Sequence, residues 1–137
     1  MSAIDLHARA SKDYAKKLSE TQGVLAQAAA DYAGVVTQAS SLGAEDVVIS
    51  HLINRLQLDI GIFVLETGAL HHETLDLLVR FKASSRAAVA VYTPLNESVV
   101  QFVDREGREA MYKSIALRKA CCGIRKMEPL ERALKGK

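Results

Sequence analysis

The sequence predicts an α/β fold, a doubly wound parallel sheet in a single domain. Three times along the chain, a short apolar run typical of a strand is followed by a segment whose apolar residues recur at helical spacing. Small or turn-forming residues follow those runs, as expected where a strand turns into a helix. The length of 137 residues suits one such domain.

The N-terminal part of the chain is predicted to be helical. Residues 3–33 are rich in alanine and contain no proline, and Leu6 and Tyr14 belong to one apolar helical face. One or two helices are expected there. We therefore divide the chain into N-terminal helices, residues 1–33, and a partial α/β domain, residues 34–137.

The α/β part contains three predicted strands with helices between and after them. The strands cover residues 34–40, 59–66 and 87–92, and the last two are apolar runs typical of buried strands. Helices are predicted over residues 45–56, 73–82, 96–106 and 108–119, and from Pro129 to Leu134. Asn96 is expected to cap one helix and Gly107 to end it. Because three strands make a small sheet, the fold is expected to be truncated on its C-terminal side.

Composition excludes several classes of protein. Apolar residues make up 49% and charged residues 25%, as in soluble globular domains, and no apolar run has the roughly 18 residues of a membrane helix. Aromatic residues are only 5%, which leaves little for base stacking, so no nucleic-acid partner is expected. Two adjacent cysteines form no disulfide framework, and the N-terminus has no apolar signal segment. A cytoplasmic location is therefore expected.

Charge is distributed unevenly along the chain. Residues 1–112 have a net charge of −4, whereas residues 113–137 carry eight Lys or Arg and two Asp or Glu, a net charge of +6. Such a basic segment favours an anionic ligand. A solvated basic helix is the alternative interpretation.

A loop of small residues, SSLGAED over residues 40–46, joins the first predicted strand to the next helix. Backbone amides can approach an anion in such a turn, and the helix N-terminus adds partial positive charge. The alternative is an ordinary capping turn with Ser41 or Asp46 as the cap. Neither a Walker A loop nor a GxGxxG motif is present.

The loop after the second strand contains Thr67, Gly68 and two adjacent histidines, His71 and His72. Gly68 permits a tight turn, and Thr67 offers a hydroxyl and an amide. Zinc is an alternative here, but no third ligand has a recognisable spacing. We expect one histidine to help cap the following helix and the other to face solvent.

Cys121 and Cys122 lie among four cationic residues of the segment RKACCGIRK. Nearby cations stabilise thiolates, which are ligands for iron–sulfur clusters or zinc. Arg125 and Lys126 can also hold a phosphate or sulfate. Two inert free cysteines remain the alternative, and two thiolates cannot complete a four-ligand site.

Four segments in order, SSLGAEDVVISHLI, VLETGALHHETLDLL, VYTP and CCGIRKMEPLERALKG, resemble the assimilatory adenylyl-sulfate and phosphoadenylyl-sulfate reductases, the iron–sulfur type of sulfonucleotide reductase. The resemblance runs from about residue 30 to the end and corresponds to the N-terminal half of a family member. It implies an adenine nucleotide alpha hydrolase-like (Rossmann-like) fold. It also implies the reduction of adenylyl sulfate to sulfite and AMP with thioredoxin, in the assimilation of sulfate for cysteine biosynthesis.

The resemblance also implies roles for individual residues. Lys126 matches a lysine between substrate and cluster, and Cys121 and Cys122 match half of the ligands of a [4Fe-4S] cluster. That cysteine pair is typical of members that prefer adenylyl sulfate. The residues expected to bind the nucleotide are Ser40, Ser41, Gly43, Glu45 and Asp46 in the phosphate loop, Leu65 and Thr67 beside adenosine, and Lys126.

The departures from the family pattern limit what is expected of this chain. The family's second cysteine pair, its late arginine-rich segment and its catalytic cysteine in a Glu-Cys-Gly motif do not occur in these 137 residues. No catalytic residue is therefore assigned, and the chain alone is expected to be inactive. The alternatives are a non-catalytic adenine-nucleotide-binding module, a phosphoadenylyl-sulfate reductase, and an ATP-dependent pyrophosphatase-like transferase. The last is disfavoured, because the first loop of this chain lacks the SGGxDS pattern of those enzymes. Exposed strand edges favour a homo-oligomer.

Overall fold

The computed structural model describes residue 5 and residues 7–137, so Leu6 of the predicted helical face lies outside the described residues. The strands are β1 (Thr37–Ser40), β2 (Gly61–Leu65) and β3 (Val89–Tyr92). The helices are α1 (Tyr14–Asp31), α2 (Ala44–Arg55), α3 (His72–Ser84), α4 (Asn96–Glu106), α5 (Ala110–Lys113), α6 (Ile115–Cys122) and α7 (Glu128–Leu134), with a π-helix over Gly123–Met127 between the last two.

The three strands form one parallel sheet in the order β1-β2-β3, which confirms the predicted parallel α/β fold. Ser40 at the end of β1 pairs in register with Val64, and Leu65 at the end of β2 pairs with Tyr92 of β3. The carboxyl ends of all three strands therefore meet at one edge of the sheet. Loops that leave this edge are where ligands bind in such folds.

Helices cover both faces of the sheet. On one face, Val64 packs with Leu78 of α3 and with Leu42 from the first loop. On the other face, the rings of Phe63 and Tyr92 meet edge to face with centroids 6.0 Å apart. There α7 packs against β2 and β3. This two-sided packing is the doubly wound arrangement that the sequence predicts.

Burial separates the central strand from the edge strand β3. Three consecutive residues of β2, Ile62 to Val64, are buried, as the apolar run predicts. The prediction of a buried third strand is wrong, because no residue of β3 is fully buried. Within the described residues β3 pairs only with β2, so one of its edges and part of each face remain accessible.

Several predicted boundaries also need correction. The first strand begins at Thr37 rather than residue 34, because Gly34 has φ +78° and the amides of Val35 and Val36 both donate to Tyr32 O in a turn. The helix predicted over residues 108–119 is two helices. Extended Ser114 separates them, and its Oγ accepts from Leu117 N at 3.1 Å as an N-cap.

The ends of two other helices are set differently from the prediction. Asn96 does not cap α4: the N-cap position belongs to Leu95, with no side-chain hydrogen bond, whereas Gly107 ends the helix with φ +90° as expected. The last helix was predicted to begin at Pro129 as a separate element, and this boundary is wrong. It begins at Glu128 and continues directly from the π-helix.

The N-terminal helix α1 is long and solvent-exposed, and none of its residues is buried. Its course confirms the predicted helical character over Tyr14–Asp31, but residues 8–13 are not helical, so the predicted helical face does not run unbroken to Tyr14. The division of the chain at residue 33 stays a prediction. No helix in the described part of the chain is long and apolar enough to cross a membrane.

Candidate functional site

A cavity of about 380 Å³ opens at the carboxyl edge of the sheet, between the ends of β1 and β2 and the C-terminal helical segment. Phe63 of β2 and Leu130 of α7 contribute to its apolar wall. Six of the eight residues expected to bind a nucleotide line this one cavity: Ser40, Ser41, Asp46, Leu65, Thr67 and Lys126. Residues up to 86 positions apart in the sequence, from Ser40 to Lys126, are thus brought together.

Asp46 shapes the first loop through its side chain. Its Oδ2 atom accepts hydrogen bonds from the amide of Ser41 at 2.7 Å and from the hydroxyl of Ser41 at 2.6 Å. The Ser41 hydroxyl oxygen in turn accepts from Gly43 N at 3.3 Å. Because this carboxylate is directed at the loop backbone, Asp46 holds the loop in shape at the cavity wall.

The two remaining loop residues, Gly43 and Glu45, do not line the cavity. Gly43 is the N-cap of α2 and forms no side-chain cap, so the alternative with Ser41 or Asp46 as the helix cap is wrong. A Cβ at Gly43 would lie 3.3 Å from Ser41 Oγ, which explains the small residue there. The first turn of α2 has backbone amides without intrahelical acceptors and a partial positive charge.

Thr67 forms the second wall of the cavity, and Gly68 follows it on the side of the neighbouring groove. Thr67 is buried, and its Oγ1 accepts from Ala69 N at 3.3 Å. Gly68 has φ +70°, and its amide donates to Glu66 Oε1 at 2.7 Å. The turn expected at Gly68 is therefore present, stabilised by side chains of its own loop.

Arg125 joins this loop to the C-terminal segment. Its Nη1 donates to the carbonyl oxygen of Thr67 at 2.7 Å, across 58 positions of sequence. Sequence reasoning missed this bond and treated Arg125 only as a phosphate or sulfate ligand. No local pattern could indicate the bond, because its acceptor is a backbone carbonyl distant in sequence.

A second arginine makes a similar contact beside β3. Nη2 of Arg132 donates to Thr93 O, and its guanidinium lies 5.9 Å from the centre of the Tyr92 ring. Its hydrogen bond with Glu128 raises the pKa of Arg132 above the ordinary value.

The two histidines of the second loop do not form a metal site with other described residues. His71 occupies the N-cap position of α3, but its side chain forms no capping hydrogen bond. The prediction that a histidine side chain helps to cap this helix is therefore wrong. His72 Nε2 lies 3.3 Å from Asp76 Oδ2 on the exposed surface. Over residue 5 and residues 7–137, no three His, Cys, Asp or Glu side chains come together as metal ligands would.

The adjacent cysteines have different surroundings, and neither is in a disulfide. Cys121 is 7% exposed and packs with Phe102 and Ala110, with Met111 among the apolar neighbours. Cys122 is partly buried at the junction of α6 and the π-helix. An iron–sulfur cluster takes four cysteine ligands, and the chain has two cysteines. The residues present therefore fit half of such a site.

A comparison with protein-family models matches residues 35–137 to the phosphoadenosine phosphosulfate reductase domain. The chain belongs to this family. The match covers the whole sheet, the cavity and the cysteine pair, and it confirms the family resemblance carried by the four sequence segments.

Relatives of known name support this membership. The chain is 48% identical over 99 residues to an adenosine 5'-phosphosulfate reductase of Neisseria meningitidis, covering 72% of this chain and 41% of that protein. It is 40% identical over 122 residues to the protein of the same name from Burkholderia cepacia, covering 89% of this chain and 48% of that protein. The chain thus spans about half the length of the curated relatives it matches.

A solved structure shows the same fold. The phosphoadenylyl-sulfate reductase of Candida auris, crystallised as a phosphate complex, superposes with a TM-score of 0.63 at 22% identity, over 93% of this chain and 64% of that chain. This likeness confirms the predicted Rossmann-like α/β architecture of the reductase family.

Proposed function

We propose that this chain is the N-terminal, substrate-binding part of an adenylyl-sulfate reductase. The observation that supports the proposal is the single cavity that Ser40, Ser41, Thr67 and Lys126 share at the carboxyl edge of the sheet. Its position is where a parallel α/β sheet binds nucleotides. The names of the relatives supply the substrate class.

The cavity combines the two kinds of surface that a sulfonucleotide needs. The side chains of Phe63, Leu65 and Leu130 offer an apolar wall for the adenine ring. The ammonium of Lys126 offers positive charge for the phosphate and sulfate groups. The Ser40 hydroxyl supplies a hydrogen bond between those two ends.

The proposed reaction of the whole reductase is the two-electron reduction of adenylyl sulfate. A cysteine thiolate attacks the sulfur, AMP leaves, and an S-sulfocysteine forms. Thioredoxin, a dithiol, then releases sulfite and is itself oxidised to a disulfide. Binding measurements must distinguish adenylyl sulfate from its 3'-phosphorylated form as the substrate. Activity measurements must test thioredoxin as the electron donor.

Cys121 and Cys122 would supply two of the four thiolates of a [4Fe-4S] cluster, with the other two coming from outside these 137 residues. A cluster held by these thiolates would supply electrostatic stabilisation to the bound sulfonucleotide. The unbridged thiols suit a reducing cytoplasm, where the proposed reaction would take place. Self-association through the open sheet edges stays a prediction.

The test is a calorimetric titration of the purified chain with adenylyl sulfate, phosphoadenylyl sulfate and ATP in parallel. Saturable binding that prefers adenylyl sulfate is the expected result. A preference for phosphoadenylyl sulfate would move the chain to that branch of the family. Binding of ATP alone would favour the non-catalytic adenine-nucleotide module, and no binding to any of the three would contradict a substrate site within this chain.

A further inference from the structure

We infer that Arg125 is a positioning residue of the sulfonucleotide site, acting through Thr67 and Lys126 rather than as a ligand of the substrate. This inference rests on the proposed function. The adjacent residues Arg125 and Lys126 line different cavities. Lys126 lines the 380 Å³ cavity, whereas Arg125 lines a separate groove beside α4. Two adjacent cations therefore lie on opposite sides of the Thr67–Gly68 turn.

The bond from Arg125 joins the two walls that carry the predicted binding residues. Its acceptor, Thr67 O, belongs to a buried residue of the β2 wall, and its donor lies on the π-helix immediately before Lys126. The contact is a single charge-assisted hydrogen bond, which restrains the distance between the two walls. Fixing Arg125 thus fixes the backbone from which the Lys126 side chain extends.

The Gly68 position shows how closely the guanidinium approaches. A Cβ added at Gly68 would lie 3.0 Å from Arg125 Nη1, so the guanidinium occupies the space next to the glycine that a side chain would need. The π-helix contributes as well. Its wider turn is a local departure from α-helical geometry, and such departures are frequent at functional sites.

Arg132 provides a matched control within the same C-terminal segment. It also donates to a backbone carbonyl just beyond a strand, Thr93 O, but neither residue lines the 380 Å³ cavity. Loss of either guanidinium removes one charged hydrogen bond to the sheet edge. Only the loss of Arg125 should disturb the geometry of the cavity.

The experiment compares the unsubstituted chain with Arg125→Met, Arg125→Lys and Arg132→Met, using titration with adenylyl sulfate and thermal unfolding. Arg125→Met is expected to raise Kd about tenfold and Arg125→Lys by less, whereas Arg132→Met changes Kd less than about twofold, although it loses the Glu128 ion pair as well and costs at least as much stability. An unchanged Kd for Arg125→Met, or an equal rise for Arg132→Met, would overturn the inference.

Amide hydrogen exchange of the ligand-free chain separates this inference from the proposed function. The amides of Gly68 and Ala69 are expected to exchange faster in Arg125→Met and to be unchanged in Arg132→Met. If the unsubstituted chain does not bind adenylyl sulfate, the proposed function fails, and unchanged exchange in Arg125→Met would reject the positioning role independently.

Discussion

Arg125 Nη1 and Thr67 O are 2.7 Å apart, and this hydrogen bond connects the C-terminal helical segment to the loop after the central strand. The contact places a cation against backbone rather than in the cavity that its neighbour Lys126 lines. One consequence concerns Gly68, whose missing side chain leaves space for the guanidinium.

Gly68→Ala should lower the free energy of unfolding for two separate reasons. Gly68 has φ +70°, where an L-residue costs about 1–2 kcal/mol, and the added methyl group would lie 3.0 Å from Arg125 Nη1, closer than ordinary van der Waals contact. Gly34→Ala is the matched control, because Gly34 has φ +78° but nothing lies within 4 Å of its added Cβ. Urea unfolding should show the larger loss for Gly68→Ala. Equal losses would mean that the arginine contact contributes nothing.

Lys126→Ala should weaken adenylyl-sulfate binding about tenfold, because it removes a cation from the cavity wall. Lys119→Ala removes the same charge from an exposed position of the same segment that does not line the cavity. Calorimetry should give less than about a twofold change for that control. Comparable effects of the two substitutions would indicate general attraction by the basic segment instead of a local contact.

Asp46→Ala should destabilise the chain by about 1–3 kcal/mol, because the Ser41 amide and hydroxyl both lose their acceptor. Glu45→Ala, in the same helical turn, should cost only about 0.3–1 kcal/mol through the lost interaction with the helix dipole. Denaturant unfolding of both variants measures the difference. If Glu45→Ala proves the more damaging, the assigned role of Asp46 is wrong.

The two cysteines should differ in stability effect and in reactivity. Cys121→Ser places a hydroxyl among Phe102 and Ala110 and should cost about 1–3 kcal/mol, whereas Cys122→Ser should cost less. A thiol-specific reagent should modify Cys122 before Cys121 in the folded, metal-free chain. Faster modification of Cys121 would show that its apolar packing opens readily in solution.

Part of the fold could be predicted from local sequence. The apolar run of β2 and the spacing of Leu75 and Leu78 in α3 are periodic signals contained in a few turns or strand residues. Burial of β3 could not be predicted in the same way, because its apolar composition does not reveal that it lies at the edge of the described sheet. The break at Ser114 was missed for a similar reason, since a single capping serine interrupts an otherwise helical pattern.

The sequence by itself determined the order of strands and helices, the small residues at strand ends and the family to which the chain belongs. Only the tertiary structure decided which of those residues share a cavity. It placed six of the eight expected residues around one cavity, left Gly43 and Glu45 outside, and buried Cys121 against Phe102 and Ala110. The physical reason is distance along the chain. Periodicity and capping act over a few residues, whereas the Arg125–Thr67 bond joins residues 58 positions apart and depends on how the C-terminal helical segment packs on the sheet.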